Sequence, residues 1–275
     1  AQFNQTGGEY LYRLAQALSE ENEVLALVTE RADTRFLETD SRDFDLSYIK
    51  NTASRSDVIK QSFNPRMYLG ARRQIHQFDP DVVHVVNDFY LNGIFMPLLR
   101  EYPFFITIHE PEFRSRYANR GLESIYYRLR FRANKQIRRH ADGVFVHGPS
   151  TRELLSNYVP DERIWTVPHG KYTTFVEQAK GTSTEERAVL FFGGIWADKG
   201  VEYFIRAQPD VSDEISEVKF IIAGKGDFEK YRGEIRSPEH FEIHNEYVSD
   251  SEAADLLERA AIVVCPYTEG TQSCV

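Results

Sequence analysis

A lysine within a glycine-rich segment is the clearest candidate for phosphate chemistry in this sequence. Lys199 follows Gly193 and Gly194, directly precedes Gly200, and comes after the apolar run of residues 188–192. Glycines let a ligand approach the backbone closely, and a lysine near the beginning of a helix can neutralise a diphosphate without a metal ion. The alternative interpretation is an ordinary turn between a strand and a helix.

Two further glycine pairs could bring a phosphate close to the backbone. Gly224 and Gly226 follow the apolar run of residues 218–223, and Gly7 and Gly8 directly precede the first predicted helix. Because a helix N-terminus presents unpaired N–H groups, glycines at that position favour an anion. Plain turns remain the alternative for both pairs. The dinucleotide-binding pattern G-x-G-x-x-G follows none of the predicted strands.

Two residues at the ends of predicted strands could contact a sugar. His109 follows the apolar run of residues 104–108, where a neutral imidazole can hydrogen-bond a hydroxyl or a reacting group. Glu269 follows the run of residues 262–266, and a carboxylate there can accept hydrogen bonds from sugar hydroxyls. A structural histidine and a solvated glutamate are the alternative interpretations. The segment at His109 is not H-E-x-x-H, which excludes the zinc-protease motif.

The segment 114–140 is strongly basic in an acidic chain. It carries eight arginines, one lysine and one histidine against one glutamate, interleaved with tyrosine and phenylalanine. A solvated helix face explains this pattern. The alternative is a surface that contacts anionic lipid headgroups or a phosphate-bearing acceptor. The residues that we assign to this surface are Arg128, Arg132, Lys135, Arg138 and Arg139.

Composition narrows the class of protein. The chain has 275 residues, and 33 Lys+Arg against 42 Asp+Glu give a net charge of −9, which argues against a nucleic-acid binder. No apolar run approaches the ~18 residues of a membrane span. Two cysteines, Cys265 and Cys274, fit a reducing cytoplasm. Asp43 and Asp45 match a D-x-D pattern, but such patterns arise by chance among 42 acids, so we predict no metal site.

Short apolar runs alternate with amphipathic segments, which predicts parallel sheets covered by helices. Two helices carry a capping-box pattern, with Ser150 before Glu153 and Ser249 before Glu252. The polar segment 171–187 interrupts the alternation and is interpreted as a linker. The predicted strands are residues 24–28, 82–86, 104–108, 143–147, 164–168, 188–192, 218–223 and 262–266, and the later predicted helices are residues 122–139, 200–208, 227–235 and 250–260.

We therefore predict two α/β domains in tandem, residues 1–170 and residues 171–275. Open parallel sheets bind ligands beyond the carboxyl ends of their strands, so we expect the ligand in a cleft between the domains.

Taken together and in order, these segments resemble glycosyltransferase family 4, whose fold is GT-B. The resemblance covers essentially the whole chain and rests on the ordered set, since each motif alone is weak. It implies two Rossmann-like domains whose parallel sheets face each other across a cleft, the C-terminal one incomplete. The matching segments are residues 7–9 (GGE), 79–84 (DPDVVH), 109–110 (HE), 141–146 (ADGVFV), 164–170 (IWTVPHG), 191–195 (FFGGI), 199–200 (KG), 222–226 (IAGKG) and 264–270 (VCPYTEG).

The resemblance implies a retaining hexosyltransferase that moves a sugar from a nucleotide-sugar donor to a glycoconjugate or lipid-linked acceptor. It implies that no metal or other cofactor is required. From the two cysteines and the basic segment, we expect the enzyme in the cytoplasm or peripherally on the inner face of the membrane. In such an enzyme His109 contacts the donor sugar, Lys199 stabilises the departing diphosphate, and Glu269 is the first glutamate of the E-x7-E motif. The donor-binding residues implied are Gly7, Gly8, Gly194, Gly224, Gly226 and Glu269.

The sequence departs from the family pattern in three places. Gly194 and Trp196 stand where the family has an arginine ahead of its lysine. The second glutamate of E-x7-E and the strand expected before Gly7 fall outside the chain, so we expect this piece alone to be inactive or nearly so. Two other functions stay open: a nucleotide-sugar epimerase of the same architecture, and a non-catalytic binding module.

Overall fold

The computed structural model describes residues 5–29, 42–49, 65–86, 100–109, 132, 134–135, 137–170, 173–181 and 186–268. These residues fall into two compact units. Unit 1 comprises the described residues up to Gly170, and unit 2 comprises those from Thr173 onward.

Unit 1 is an α/β unit with parallel strands. Strands β3 to β6 form one sheet in the order β3-β4-β5-β6, and β1 and β2 pair with each other. A helical segment that ends at His140 precedes β5. The elements are α1 (Gln5–Ser19), β1 (Leu25–Thr29), β2 (Asp45–Ile49), α2 (Pro65–Phe78), β3 (Val83–Val85), β4 (Phe104–Ile108), β5 (Gly143–Val146), α3 (Pro149–Ser156) and β6 (Ile164–Thr166).

The central strands of unit 1 supply its core. Ile106 and Ile108 on β4, and Val144 and Val146 on β5, are fully buried. Burying one such aliphatic side chain contributes about 1.5–3 kcal/mol to folding. The apolar runs that predicted β4 and β5 therefore also hold the ends of these strands in fixed positions, which matters for the residues that follow them.

Unit 2 contains a second parallel sheet, in the order β10-β7-β8-β9. Its core joins side chains of the central strands to the apolar face of α5, including Phe191, Phe204 and Phe220. The elements are α4 (Thr174–Gln178), β7 (Glu186–Phe192), α5 (Val201–Glu214), β8 (Lys219–Ala223), β9 (Phe241–His244), α6 (Asp250–Arg259) and β10 (Ala260–Val263), with short 3-10 turns at Ala197–Lys199, Phe228–Lys230, Arg232–Glu234 and Pro238–His240.

Arg259 at the end of α6 joins two strands of this sheet. Its guanidinium donates to Glu186 on β7 at 2.9 Å and to Glu242 on β9 at 2.8 Å. The hydrogen bond from Arg259 is the main reason that the pKa of the Glu242 carboxyl falls to about 2. The guanidinium of Arg259 therefore holds the end of α6 against both β7 and β9.

The segment 171–187, interpreted above as a linker, contains regular secondary structure of unit 2. The segment contains α4 and the beginning of β7. Thr174 is buried, and the Phe175 ring lies 5.7 Å from the Phe192 ring, centroid to centroid. A five-residue helix is too short to show an apolar period, so its packing could not be read from the pattern.

Local signals at the helix ends had mixed outcomes. The capping box of α6 is confirmed, because the Ser249 hydroxyl accepts from the Glu252 N–H and the Glu252 carboxylate accepts from the Ser249 N–H. Ser150 is not an N-cap: α3 begins at Pro149, which suits the first helical position, and Gly148 precedes it. The segment 227–235 forms two 3-10 turns rather than the predicted helix.

Candidate functional site

The strand order of unit 2 creates a switch point between β7 and β10. The chain passes from β7 to β8 to β9 and then returns to β10 on the other side of β7. The connections on the two sides of β7 therefore run in opposite directions along the sheet. Open parallel sheets bind their ligands at such a point.

Lys199 lies at this switch point, in the turn that follows β7. Its ammonium lies 3.7 Å from the centroid of the Tyr267 ring, which belongs to the segment after β10. The backbone N–H of Thr268 donates to the carbonyl of Asp198 at 3.1 Å. Side chain and backbone thus join the two loops, and they place a cation at the carboxyl edge of the sheet.

Gly200 is required for this close approach. Its φ is 68°, in the left-handed region that glycine adopts without strain, and it directly precedes α5. A Cβ at this position would overlap the carbonyl of Pro266. The glycine that follows Lys199 in the sequence therefore allows the loops after β7 and β10 to touch.

Hydrogen bonds tie the loop after β8 to the end of β9 and to the residue that follows it. The N–H of Gly224 donates to the carbonyl of His244, and the N–H of Gly226 donates to the side chain of Asn245. A Cβ at Gly194 would overlap the indole of Trp196. The contacts of Gly224 and Gly226 hold loops in position, and their predicted contact with a donor stays a prediction.

In unit 1, three histidines meet at the carboxyl edge of the sheet. His109 follows β4, His147 follows β5, and His169 lies three residues beyond β6. The ring centroids are 5.0 Å apart for His109 and His147, 4.6 Å for His147 and His169, and 6.1 Å for His109 and His169. We call these three residues the histidine cluster.

Each imidazole of the cluster is held by a backbone carbonyl. His109 bonds through Nε2 to Val86 at 3.0 Å, and His147 bonds through Nδ1 to Val167 at 3.0 Å. His169 bonds through Nδ1 to the carbonyl of Gly170 at 2.9 Å. Burial, followed by the proximity of His147, lowers the pKa of His109 to about 4, and burial also lowers the pKa of His147. These two rings are therefore neutral at neutral pH.

Tyr10 of α1 packs against the histidine cluster. Its ring centroid lies 4.9 Å from that of His109, and its hydroxyl hydrogen-bonds Thr107 on β4. Burial raises the pKa of Tyr10. His84 on β3 contacts the Thr107 hydroxyl at 2.8 Å, and burial lowers the pKa of His84 to about 4. The edge of this sheet is thus a polar, largely uncharged surface.

His147 and His169 were missed as candidate residues, although the sequence held the signal. Both lie at or just beyond the ends of predicted strands, the position that singled out His109.

Gly7 and Gly8 are placed differently from the prediction. α1 begins at Gln5, so the two glycines lie in its first turn and not before it. The N-terminus of the helix, with its unpaired N–H groups, therefore lies further upstream than the glycine pair suggested.

Three of the five residues assigned to the basic surface are exposed in the structure. Arg132, Lys135 and Arg139 are exposed, as predicted. Arg138 is 1% exposed, and its guanidinium donates to the Tyr158 hydroxyl at 3.0 Å, so its assignment to a surface was wrong. Its helix turns that side chain toward the core of unit 1. Arg128, Glu110 and Glu269 lie outside the described residues.

Comparison with known proteins identifies the family. The model for glycosyltransferase family 4 matches residues 7–173, and the model for glycosyl transferases group 1 matches residues 186–275. The first match spans more than half of the sequence, so the chain belongs to glycosyltransferase family 4. An uncharacterised glycosyltransferase of Methanocaldococcus jannaschii is 30% identical over 89 residues, which are 31% of this chain but only 23% of that relative.

Solved structures confirm the predicted fold class. Sucrose-phosphate synthase from Thermosynechococcus elongatus matches with a TM-score of 0.66 and 15% identity, over 96% of this chain and 70% of that one. UDP-GlcNAc 2-epimerase from Methanocaldococcus jannaschii matches with a TM-score of 0.56 and 12% identity, over 94% and 76% of the two chains. The likeness shows the α/β fold with parallel sheets that GT-B enzymes share.

Among the helices that the structure describes, none combines the length and the apolar character needed to cross a bilayer.

Proposed function

We propose that this chain transfers a sugar from a nucleotide-sugar donor to a sugar or lipid-linked acceptor, with retention of configuration. The position of Lys199 carries the proposal. In a chain of glycosyltransferase family 4, this cation lies at the switch point of a parallel sheet, where ligands of such sheets bind.

Lys199 matches the charge that develops during the reaction. When the bond between the sugar and the nucleoside diphosphate breaks, negative charge accumulates on the departing diphosphate. A fixed cation at that point is usually the largest single contribution to catalysis. Tyr267 restricts the ammonium before any ligand binds. This arrangement supports a reaction in which lysine, and not a metal ion, neutralises the diphosphate.

His109 is the residue of unit 1 that we propose to act on the sugar. Its Nε2 is engaged by the carbonyl of Val86, which fixes the orientation of the ring. A neutral imidazole held in one orientation suits recognition of a hydroxyl. Glu269, the neighbour of Thr268, is proposed to bind sugar hydroxyls in unit 2, and Gly7, Gly8, Gly194, Gly224 and Gly226 are proposed to approach the donor.

Two observations support a place of action at the cytoplasmic face of a membrane. The chain has two cysteines, which suits a reducing compartment. Arg132, Lys135 and Arg139 expose positive charge on one helical segment of unit 1. We propose that these three residues contact anionic lipid headgroups or a phosphate-bearing acceptor.

The test has two stages. Calorimetric titration of the full-length protein with UDP-, GDP- and ADP-sugars identifies the nucleotide, and we expect one of these classes to bind. The protein is then incubated with that donor alone and with a panel of hydroxyl acceptors, and the products are analysed. A glycosylated acceptor with an unchanged anomeric configuration supports the proposal. Interconversion of the donor without an acceptor indicates an epimerase, and no binding of any donor indicates a different kind of module.

A further inference from the structure

We propose that His109, His147 and His169 bind one zinc ion in unit 1. The proposal does not rest on glycosyl transfer, because metal binding is measured without a donor or an acceptor. It departs from the sequence-based expectation that the protein needs no metal. Three observations support it: the distances between the rings, the hydrogen bond from each ring to a backbone carbonyl, and the unpartnered Nε2 of His147.

The spacing of the rings fits a tetrahedral metal. With Zn–N bonds of about 2.0–2.1 Å and tetrahedral angles, the centroids of two imidazoles on one zinc ion lie about 5 Å apart. The three observed separations are 4.6, 5.0 and 6.1 Å. One nitrogen from each ring lies within 4.8 Å of the other two. Tetrahedral coordination needs about 3.3 Å between nitrogens, so small rotations of the side chains close the site.

The hydrogen bonds define which nitrogen of each ring can bind a metal. A carbonyl oxygen only accepts, so the nitrogen that contacts it carries the proton. This assigns the protons to Nε2 of His109, Nδ1 of His147 and Nδ1 of His169. In the neutral form of each ring the lone pair therefore lies on the opposite nitrogen. Histidines that bind metals typically donate their other N–H to a carbonyl in this way.

His147 gives the most direct support for a metal ligand role. Its Nε2 is buried and has no hydrogen-bond partner among the described residues. A buried nitrogen of this kind is unfavourable unless something binds it. A metal ion at the centre of the histidine cluster satisfies this atom.

The ligand set points to zinc and to an open site. Imidazole nitrogen suits zinc and neighbouring transition metals, whereas Mg²⁺ and Ca²⁺ prefer oxygen. Three protein ligands leave one tetrahedral position for water or a hydroxyl, as in catalytic zinc sites.

The experiment measures zinc binding by the full chain. The protein is purified without a metal-affinity resin, treated with a chelator, and titrated with Zn²⁺ and with Mg²⁺. We expect about one Zn²⁺ per chain and no competition by Mg²⁺. His147→Gln and His169→Gln should each weaken zinc binding by about 100-fold or more, since even residues behind the ligands contribute 10- to 100-fold. His76→Gln, which changes an exposed histidine at the end of α2, should leave it unchanged.

A second readout keeps the test decisive if the variants do not fold. Co²⁺ bound to the wild-type chain should give the intense visible absorption of a tetrahedral site, and Zn²⁺ should abolish it. Absence of zinc binding, equal zinc affinity in the wild type and the two cluster variants, or a weak octahedral cobalt spectrum overturns the proposal.

Discussion

The ammonium of Lys199 lies 3.7 Å from the centroid of the Tyr267 ring, so one cation joins the loops that follow β7 and β10. A contact of this kind contributes about 0.5–1 kcal/mol when exposed and about 2 kcal/mol when desolvated. Both side chains are partly buried. The ring therefore limits where the ammonium can lie before a ligand arrives, and such preorganisation is what makes a charge effective in catalysis.

Removing the cation should strongly reduce turnover. We expect Lys199→Ala to lower kcat by about 100- to 1,000-fold, the usual effect of removing one group that stabilises the transition state. The measurement is initial-rate kinetics of the full-length protein with the donor and acceptor identified above. Lys230→Ala, which removes an exposed lysine of the same unit, is the matched control and should retain full activity. Unchanged turnover in Lys199→Ala would exclude Lys199 from the reaction.

Removing only the ring should have a smaller effect. Tyr267→Leu loses the aromatic face, whereas Tyr267→Phe keeps it. We expect kcat of the leucine variant to lie about 3- to 10-fold below that of the phenylalanine variant, since the contact contributes about 1 kcal/mol. Steady-state kinetics of the two variants give this ratio. Equal rates would mean that the ring does not position Lys199.

Gly224 should be needed for folding of unit 2 whether or not it contacts a donor. Its φ is 147°, and a Cβ there would overlap the carbonyl oxygen of Gly193. We expect Gly224→Ala to lower the free energy of unfolding by at least about 2 kcal/mol. Urea unfolding measures it. Gly233→Ala is the control, because a Cβ there meets no atom within 4 Å, and its effect should stay within about 0.5 kcal/mol.

The stability of unit 2 should fall in acid because of Glu242. The hydrogen bond from Arg259 lowers the pKa of this carboxyl to about 2 from its ordinary value of 4.5. The stabilisation is therefore complete above about pH 4.5 and is lost as the pH falls toward about 2. The side chain is 24% exposed, and screening by solvent limits the contribution to about 1–2 kcal/mol.

The measurement compares the wild type with Glu242→Gln. At about pH 6 the free energy of unfolding of the variant should be lower by about 1–2 kcal/mol, and near pH 2 the difference should vanish. Glu239→Gln, at an exposed position just before β9, should match the wild type across the range. A difference between Glu242→Gln and the wild type that does not change with pH would contradict the assignment.

Strands marked by a run of apolar residues were predictable from the sequence, whereas β9, which has no such run, was not. β4 and β8 are nearly continuous apolar runs, since both are largely buried in the centre of their sheets. β9 is only half-buried and carries Glu242 and His244, so no apolar run marks it. Its position depends on pairing with β8, a long-range contact that the local pattern does not contain.

The candidate sites show the same division. Lys199 and His109 were found because each follows a strand, which is a local property. The contact of Lys199 with Tyr267 depends on the return of the chain to β10, and the histidine cluster depends on β4, β5 and β6 lying side by side. Arg138 was misassigned because charge alone does not reveal which side of a helix faces the core.

Three exposed basic residues of unit 1 should determine binding to anionic lipid. Arg132, Lys135 and Arg139 each contribute about 1 kcal/mol near a charged bilayer, so changing all three to glutamine should weaken binding by about 100-fold. Co-sedimentation with vesicles of increasing anionic lipid content measures this, and added salt should weaken wild-type binding. The control changes three exposed cations of unit 2 to glutamine: Arg206, Lys230 and Arg232. Binding that does not respond to anionic lipid would exclude a membrane role and leave a phosphate-bearing acceptor as the ligand of this surface.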